Sequence, residues 1–318
     1  MHKIFITGGC GFIGSHLTEY FFERYKSSII YVYDKITYAA SVKNLENISN
    51  SKRLKIIKKD LSDYKALEKY SKNTDLFIHA AAESHVDNSF NLTNEFIITN
   101  VLGTKNVLDA CKVNKVKKII HISTDEIYGE IYKSSFDENS RFNPSNPYSS
   151  SKAAAEMIIN GYIHSYKMPV IIIRANNIFG TRQHPEKLLP GSCWSCIKKK
   201  KFTIHGKGDQ KRSFLFVEDL CEGIYKVVLK GKNNNIYNIG SKFEYKNLDV
   251  FKLVAEENNL RFNKFVKYIK DRPFNDYRYS LNFNKIMKLG WRPKTKIEDK
   301  ISEINDWYKK NISRFKKR

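Results

Sequence analysis

Tyr148 and Lys152, four residues apart, carry the strongest chemical signal in this chain. At that spacing both side chains lie on one helix face, one turn apart. An ammonium group beside a phenol favours the phenolate, so Lys152 is expected to lower the Tyr148 pKa from its ordinary value of about 10 toward neutrality. A phenol so tuned can take the proton from a sugar hydroxyl while hydride leaves the same carbon. Upstream, Ser123-Thr124-Asp125-Glu126 adds two carboxyl groups that plain alcohol oxidation does not need. An adjacent acid and base suit an elimination: Asp125 protonates a leaving hydroxyl while Glu126 removes a carbon-bound proton. That division requires a protonated Asp125 beside an ionised Glu126, hence surroundings that push the two pKa values apart.

Redox chemistry of this kind needs a hydride acceptor. Gly8-Gly9-Cys10-Gly11-Phe12-Ile13-Gly14 follows an apolar strand, Lys3-Ile4-Phe5-Ile6-Thr7, and opens a helix over 14–25. Glycines at 8, 11 and 14 permit a tight turn, close approach of a pyrophosphate and close helix–strand packing, with the phosphates facing the helix N-terminus. Asp34 ends the next strand, 20 residues past Gly14. A carboxylate there accepts from a ribose 2′-hydroxyl and repels a 2′-phosphate, which favours NAD over NADP; neighbouring Lys35 offsets part of that repulsion.

The elements that must position these groups alternate strand and helix. Ile29-Ile30-Tyr31-Val32-Tyr33, Leu54-Lys55-Ile56-Ile57, Leu76-Phe77-Ile78-His79, Ile119-Ile120-His121-Ile122 and Val170-Ile171-Ile172-Ile173 are continuous apolar runs, the mark of strands buried on both faces. The expected fold is α/β, a Rossmann-type doubly wound parallel sheet with a smaller C-terminal substrate-binding lobe. The dinucleotide-binding domain is expected over 1–175, with 215–242 returning to it, and the substrate lobe over 176–318.

Composition narrows the class. The chain has 318 residues and is 41% hydrophobic, enough for a sizeable core. It carries no apolar run long enough to span a bilayer, and its start has no cleavable signal pattern, so a cytoplasmic protein without membrane partners is expected. Five scattered cysteines fit a reducing compartment. The lone Cys193-Trp194-Ser195-Cys196 lacks the second pair or the histidines that a zinc site needs; it reads as two small core-facing residues, with no metal. The net charge of +23 is thinly spread, apart from Lys198 to Lys201 and a tail ending in Lys316, Lys317 and Arg318. No nucleic-acid-binding motif accompanies it, so nucleic acid is not an expected partner, although a basic surface attracts an anionic small substrate.

The glycine spacing together with Tyr148-xxx-Lys152 resembles the extended short-chain dehydrogenase/reductase family over nearly the whole chain. Within it, Thr124-Asp125-Glu126-Ile127-Tyr128-Gly129, Ala80-Ala81-Ala82-Glu83-Ser84-His85-Val86-Asp87, Asn176-Asn177 and Pro185-Glu186-Lys187-Leu188-Leu189-Pro190 resemble the nucleotide-sugar 4,6-dehydratases. Two stretches depart from the dTDP-glucose enzymes: Arg212-Ser213-Phe214, in the run that begins at His205, replaces Arg-Asp-Trp, and Phe274-Asn275, in Asp271-Arg272-Pro273-Phe274-Asn275-Asp276-Tyr277-Arg278-Tyr279, replaces Gly-His. Both look more like the UDP-glucose 4,6-dehydratase module of rhamnose-forming enzymes. The resemblance therefore implies a lyase acting on UDP-glucose, on the way to rhamnose or another deoxysugar, with dTDP-glucose as the alternative. It also implies roles. Asp60 and Leu61 would flank adenine, Ala80, Ala81 and Ala82 would line the cofactor, and Thr99 would sit near its ribose. Ser84, Asn177, Glu186, Lys187, Leu188, His205, Arg212, Asn247 and Arg278 would hold the nucleotide sugar, the two arginines offering forks to its diphosphate. Thr124 would orient the reacting hydroxyl.

Other readings stay open at this level. A nucleotide-sugar 4-epimerase needs the tyrosine and lysine but not the acid–base pair, and a UDP-glucuronate decarboxylase resembles the chain at Glu126 but not at Asp125. A non-catalytic NAD-sensing protein would not need Tyr148, Lys152 or Thr124. The stretch over 95–111 and the helix after Lys152 both carry apolar residues at helical spacing, including Phe96, Val101, Val107 and Leu108 in one and Met157, Ile158 and Tyr162 in the other. One sheet face cannot readily cover both, and equivalent helices pair across a two-fold axis in the enzymes this chain resembles, so a homodimer is expected.

Overall fold

The computed structural model describes residues 1–271 and 273–315; Arg272 and the basic tail residues Lys316, Lys317 and Arg318 lie outside the described residues. Its strands are β1 (Lys3–Thr7), β2 (Ile29–Asp34), β3 (Leu54–Lys58), β4 (Leu76–His79), β5 (Lys118–Thr124), β6 (Val170–Ala175), β7 (Asn177–Phe179), β8 (Phe202–His205), β9 (Lys211–Phe216), β10 (Ile236–Ile239), β11 (Glu244–Lys246) and β12 (Val266–Ile269). Seven of them form a parallel sheet in the order β10-β6-β5-β4-β1-β2-β3.

Alternation along each strand splits the core in two. Ile4 and Ile6 face one apolar cluster, where helices Phe12–Arg24 and Val217–Lys230 pack through Leu17, Phe21, Leu220 and Ile224. Phe5 faces the other, with Phe77, Val107, Leu108 and Ile159 of helices Gly103–Val113 and Pro147–Tyr166. Phe5 and Phe77 stack at 4.9 Å between neighbouring strands. This double cover is why β4 and β6 are buried at every residue and why they read as unbroken apolar runs. Removing the Phe77 ring would leave a cavity costing about 3–5 kcal/mol.

The sheet order reverses between β4 and β1, and a parallel sheet opens a crevice at the carboxyl ends of its strands at such a point. β1, β2, β5 and β6 deliver the glycine loop, Asp34, Thr124 and Asn176 to that edge. A second layer covers it: β7, β9 and β11 form a three-stranded sheet, and β8 and β12 a two-stranded one. At the end of the described chain, Phe315 packs on Tyr308 at 5.8 Å and on His184 at 5.9 Å, and Arg314 pairs with Glu46 at 2.8 Å.

The helix Pro147–Tyr166 is started firmly. Asn146 accepts from the Ser149 N–H, the Ser149 hydroxyl accepts from the Asn146 N–H, and Pro147 occupies the first helical position. Such a cap is worth about 1 kcal/mol. It fixes the first turn, where Tyr148 sits.

Candidate active site

The glycine loop closes on itself. Gly8 has φ +69°, and a Cβ there would stand 2.7 Å from the Ala81 backbone, while one at Gly14 would stand 2.0 Å from the Gly8 carbonyl. Only glycine fits either place. Gly11 precedes the helix Phe12–Arg24 and offers its first turn no side-chain cap, which suits a phosphate. Asp34 is buried and accepts from the Cys10 N–H at 2.9 Å and the Ile36 N–H at 2.7 Å. Burial raises its pKa against the main-chain donors of Ile36, Cys10 and Gly11, and a carboxylate retains lone pairs for further hydroxyl donors. Lys35 turns to Asp60 at 2.6 Å rather than to Asp34.

These residues open into a single cleft of about 740 Å³. Gly8, Gly11, Phe12, Ile13, Gly14, Asp34, Lys35, Asp60, Leu61, Ala80, Ala81, Ala82 and Thr99 line one end of it. Thr124, Asp125, Glu126, Tyr148 and Lys152 also line it, as do Ser84, Asn177, Glu186, Lys187, Leu188, His205, Arg212 and Asn247. The cradle and the buried carboxylate fit a dinucleotide.

Arg278 departs from expectation. It is absent from the cleft wall, because its guanidinium is held by Glu244 and donates to the Ser134 carbonyl at 3.1 Å. Arg212 reaches the cleft, but its fork is spent largely on main-chain carbonyls, Lys211 at 2.8 Å and Asp276 at 2.8 Å. It therefore supplies positive charge from a fixed position more than a free bidentate clamp.

The part of the cleft formed by Thr124, Asp125, Glu126, Tyr148 and Lys152 is unevenly charged. Burial, and after it the charge of Glu126, push Asp125 up to about 7. Glu126 is raised too, by burial, while Lys187 and Arg212 pull it back toward the ionised form. Both carboxyls are raised, but cations pull on Glu126 where Asp125 feels the neighbouring carboxylate, the direction an acid beside a base requires. Asn146 donates to Glu126 at 3.4 Å.

Tyr148 contradicts the simple tuning argument. Burial first, then Glu126, drive its pKa upward, and a hydrogen bond with Thr124 opposes them only in part. Lys152 is itself lowered to about 8 by burial, and its ammonium donates to the Ile122 carbonyl at 2.7 Å. Two nearby carboxyl groups and a dry pocket outweigh one ammonium whose hydrogen bond goes to the strand. NAD⁺, when bound, supplies a hydride acceptor and a positive charge.

Behind the centre, Glu156 and Arg174 form a buried pair at 2.7 Å. The Ser123 hydroxyl donates to Glu156, Arg174 donates to the Tyr128 hydroxyl, and Tyr128 donates to Asn238 at 3.0 Å. One network thus joins the helix carrying Tyr148 and Lys152, the strand ending at Thr124, and β6.

Several cleft residues escaped the sequence reading. Asn176, quoted only as part of a motif, donates to Asp125 at 2.7 Å. Tyr38 donates to Glu186 at 2.8 Å and receives Asn88 at 3.1 Å. Burial alone would raise Glu186, but the His184 hydrogen bond and the charges of His85 and Lys187 hold it at about 2. Asn146 was detectable as a cap residue before proline; Tyr38 sits in an irregular loop with no periodicity to mark it. Cys193 and Cys196 are free and buried in the helix Leu188–Ile197. Among the described residues, no group of three or more His, Cys, Asp or Glu side chains is placed to hold a metal ion.

A doubly wound sheet, a glycine cradle and a Tyr-Lys pair under a two-lobed cleft define an extended short-chain dehydrogenase/reductase. Residues 5–304 match the family model described as GDP-mannose 4,6 dehydratase. The chain is 41% identical over 321 residues to the dTDP-D-glucose 4,6-dehydratase of Bos taurus, covering 99% of this chain and 90% of that protein. It is 39% identical over 315 residues to a trifunctional UDP-glucose 4,6-dehydratase/UDP-4-keto-6-deoxy-D-glucose 3,5-epimerase/UDP-4-keto-L-rhamnose-reductase of Arabidopsis thaliana, covering 97% of this chain and 47% of that protein. The crystal structure of a dTDP-glucose 4,6-dehydratase from Streptomyces venezuelae, with NAD bound, superposes with a TM-score of 0.95 at 32% identity, covering 99% of each chain. The chain belongs to the GDP-mannose 4,6 dehydratase family, as an NAD-dependent nucleotide-sugar 4,6-dehydratase, a hydro-lyase.

Proposed function

We propose that the chain converts dTDP-glucose to its 4-keto-6-deoxy product, with UDP-glucose as the second reading. Relatives named dTDP-D-glucose 4,6-dehydratase match it at 39–41% identity over 98–99% of this chain and 82–92% of theirs. The lobe end of the cleft also offers Trp194, Phe202, Ile204 and Phe274, an apolar surface suited to a methylated base. The UDP reading is favoured by Arg212-Ser213-Phe214 and Phe274-Asn275, the departures that first pointed to it. One methyl group in an apolar pocket is worth about 10- to 200-fold in kcat/KM. Turnover of both nucleotides by the same preparation tests the choice: dTDP-glucose should lead by at least about tenfold, and equal or better turnover of UDP-glucose reverses the assignment.

The observation that supports dehydration is the adjacent carboxyl pair in the cleft wall, with Asp125 buried and pushed up to about 7 beside Glu126, which Lys187 and Arg212 pull back toward the ionised form. Tyr148 takes the proton of the 4-hydroxyl, with Thr124 orienting that hydroxyl. Oxidation at C4 gives a ketone that acidifies the C5 proton. Glu126 removes that proton, Asp125 protonates the 6-hydroxyl, and water leaves. Hydride taken from C4 returns at C6 while Glu126 gives its proton back to C5, and the proton taken up by Tyr148 restores the one that left Asp125 with water, so no net oxidant or proton is consumed. Lys152 follows Tyr148 by one helical turn, with its ammonium held by the Ile122 carbonyl. Ser84, Asn177, Glu186, Lys187, Leu188, His205, Arg212 and Asn247 hold the nucleotide sugar, and the glycine loop, Asp34, Asp60, Leu61, Ala80 to Ala82 and Thr99 hold NAD.

The same reading extends to assembly. Ile97, Ile98, Leu102 and Met157 are 44, 50, 52 and 59% exposed on two adjoining helical segments. A contiguous apolar face of this kind marks a protein contact, and a homodimer burying above about 2,000 Å² would cover it. No helix among the described residues is long and apolar enough to cross a membrane; a cytoplasmic place is part of the proposal.

A further inference from the structure

The Asn176 side chain lies behind the acid, and its orientation is set from the far side. Its Oδ1 accepts the Ser241 main-chain N–H at 3.0 Å, and its Nδ2 donates to Asp125 Oδ2 at 2.7 Å. A main-chain N–H only donates, so the amide oxygen must face Ser241 and the amide NH₂ must face Asp125. Gly240 preserves the approach, since a Cβ there would stand 2.3 Å from Asn176 Oδ1. Asn176 is 4% exposed and Asp125 3%, so water does not compete for either bond. Asp125 Oδ2 is thereby restricted to accepting. The other oxygen, Oδ1, faces the Thr124 hydroxyl at 3.3 Å.

We propose that Asn176 is a positioning residue that selects which oxygen of Asp125 carries the transferable proton, keeping it on Oδ1, the oxygen on the Thr124 side. A proton on Oδ2 would set donor against donor in a dry site and leave the Asn176 NH₂ without an acceptor. Once Oδ1 has given up its proton, the same NH₂ stabilises the carboxylate left behind. Five neighbours face this carboxyl: Thr124 from the end of β5, Glu126 from its own turn, Tyr148 from the helix Pro147–Tyr166, Arg212 from β9, and Asn176 just past β6. Glu126 disfavours ionisation, while Arg212 and Asn176 favour it. Asn176 alone acts on one oxygen from behind. This inference rests on Asp125 being the general acid.

Two variants test it beside Asp125→Asn. Asn176→Ala removes the donor, and the isosteric Asn176→Asp replaces it with an oxygen that must share a proton with Asp125 Oδ2. Both should leave KM for the nucleotide sugar unchanged. Asn176→Ala should lower kcat by about ten- to a hundredfold, the worth of one hydrogen bond to a charged group, and Asn176→Asp should lower it further. Solvent deuterium should still enter C5 of recovered sugar, because Glu126 is untouched. The alkaline limb of kcat should move to higher pH in Asn176→Ala, since a donor that favours the carboxylate has gone; a purely structural loss would leave that limb in place. Parent kcat and an unmoved limb in Asn176→Ala, beside an Asp125→Asn that has lost elimination, overturns this proposal alone. An Asp125→Asn enzyme that dehydrates at the parent rate overturns both.

Discussion

Glu156 and Arg174 meet at 2.7 Å with side chains 2% and 3% exposed, and each also holds a hydroxyl that belongs to the catalytic edge, Ser123 and Tyr128 respectively. Breaking such a pair strands a buried charge, at about 3–5 kcal/mol. Glu156→Gln should therefore lower unfolding stability by roughly that amount in urea titrations. Pairing Glu156→Leu with Arg174→Met should cost clearly less than the sum of the single changes, because neither charge is then left alone. Additive losses would mean that the two side chains act independently.

Asp125 sets activity against stability. Its pKa in the folded protein, about 7, lies above the ordinary 3.8. A raised carboxyl pKa means that the folded state binds the proton more tightly, so the native state loses stability as pH rises from about 4 to about 7. Asp125→Asn removes that penalty. The variant should unfold at higher denaturant than the parent above pH 7 and show no such gain below pH 4, while dehydration falls by about two to four powers of ten. A variant no more stable than the parent at pH 8 would show that the aspartate is not held protonated.

Asp34 receives two main-chain donors and stands at the cofactor end of the cleft. Asp34→Ala should weaken NAD binding and narrow its preference over NADP, as read by fluorescence titration of both cofactors. NAD binding as tight as in the parent would move the ribose contact elsewhere.

The exposed Ile98 and Leu102 give the assembly prediction its handle. Ile98→Glu with Leu102→Glu places charge in the proposed interface and should yield a species near 37.2 kDa by light scattering, where the parent should run near twice that mass. A parent that is itself monomeric at micromolar concentration rejects the dimer.

The doubly wound sheet was legible because both faces of each central strand are buried, which leaves apolar runs such as Val170 to Ile173 without alternation. The glycine loop and the Tyr148–Lys152 pair were legible for a similar reason, since local backbone geometry fixes their spacing. The direction of the Tyr148 shift was not, because it depends on burial of the phenol, on the charges of Glu126 and Asp125 near it and on Lys152 turning to Ile122. The placement of Arg278 outside the cleft lining was not legible either: its neighbour Glu244 lies 34 residues away in the chain, and no local pattern announces that it takes the guanidinium. Asn176 was visible as a residue, but its role needs Ser241 and Gly240, delivered by β10.

That last strand has a bearing on how the protein is made. β10, Ile236–Ile239, supplies the seventh and outermost position of the sheet beside β6. Until the segment through Ile239 has left the ribosome, β6 lacks its β10 neighbour and is an apolar edge with an unpaired row of amide groups, the kind of surface that recruits stray strands. The nascent enzyme is therefore most prone to aggregation between the emergence of β6 and the docking of β10, and the site receives its Ser241 contact only when that interval closes.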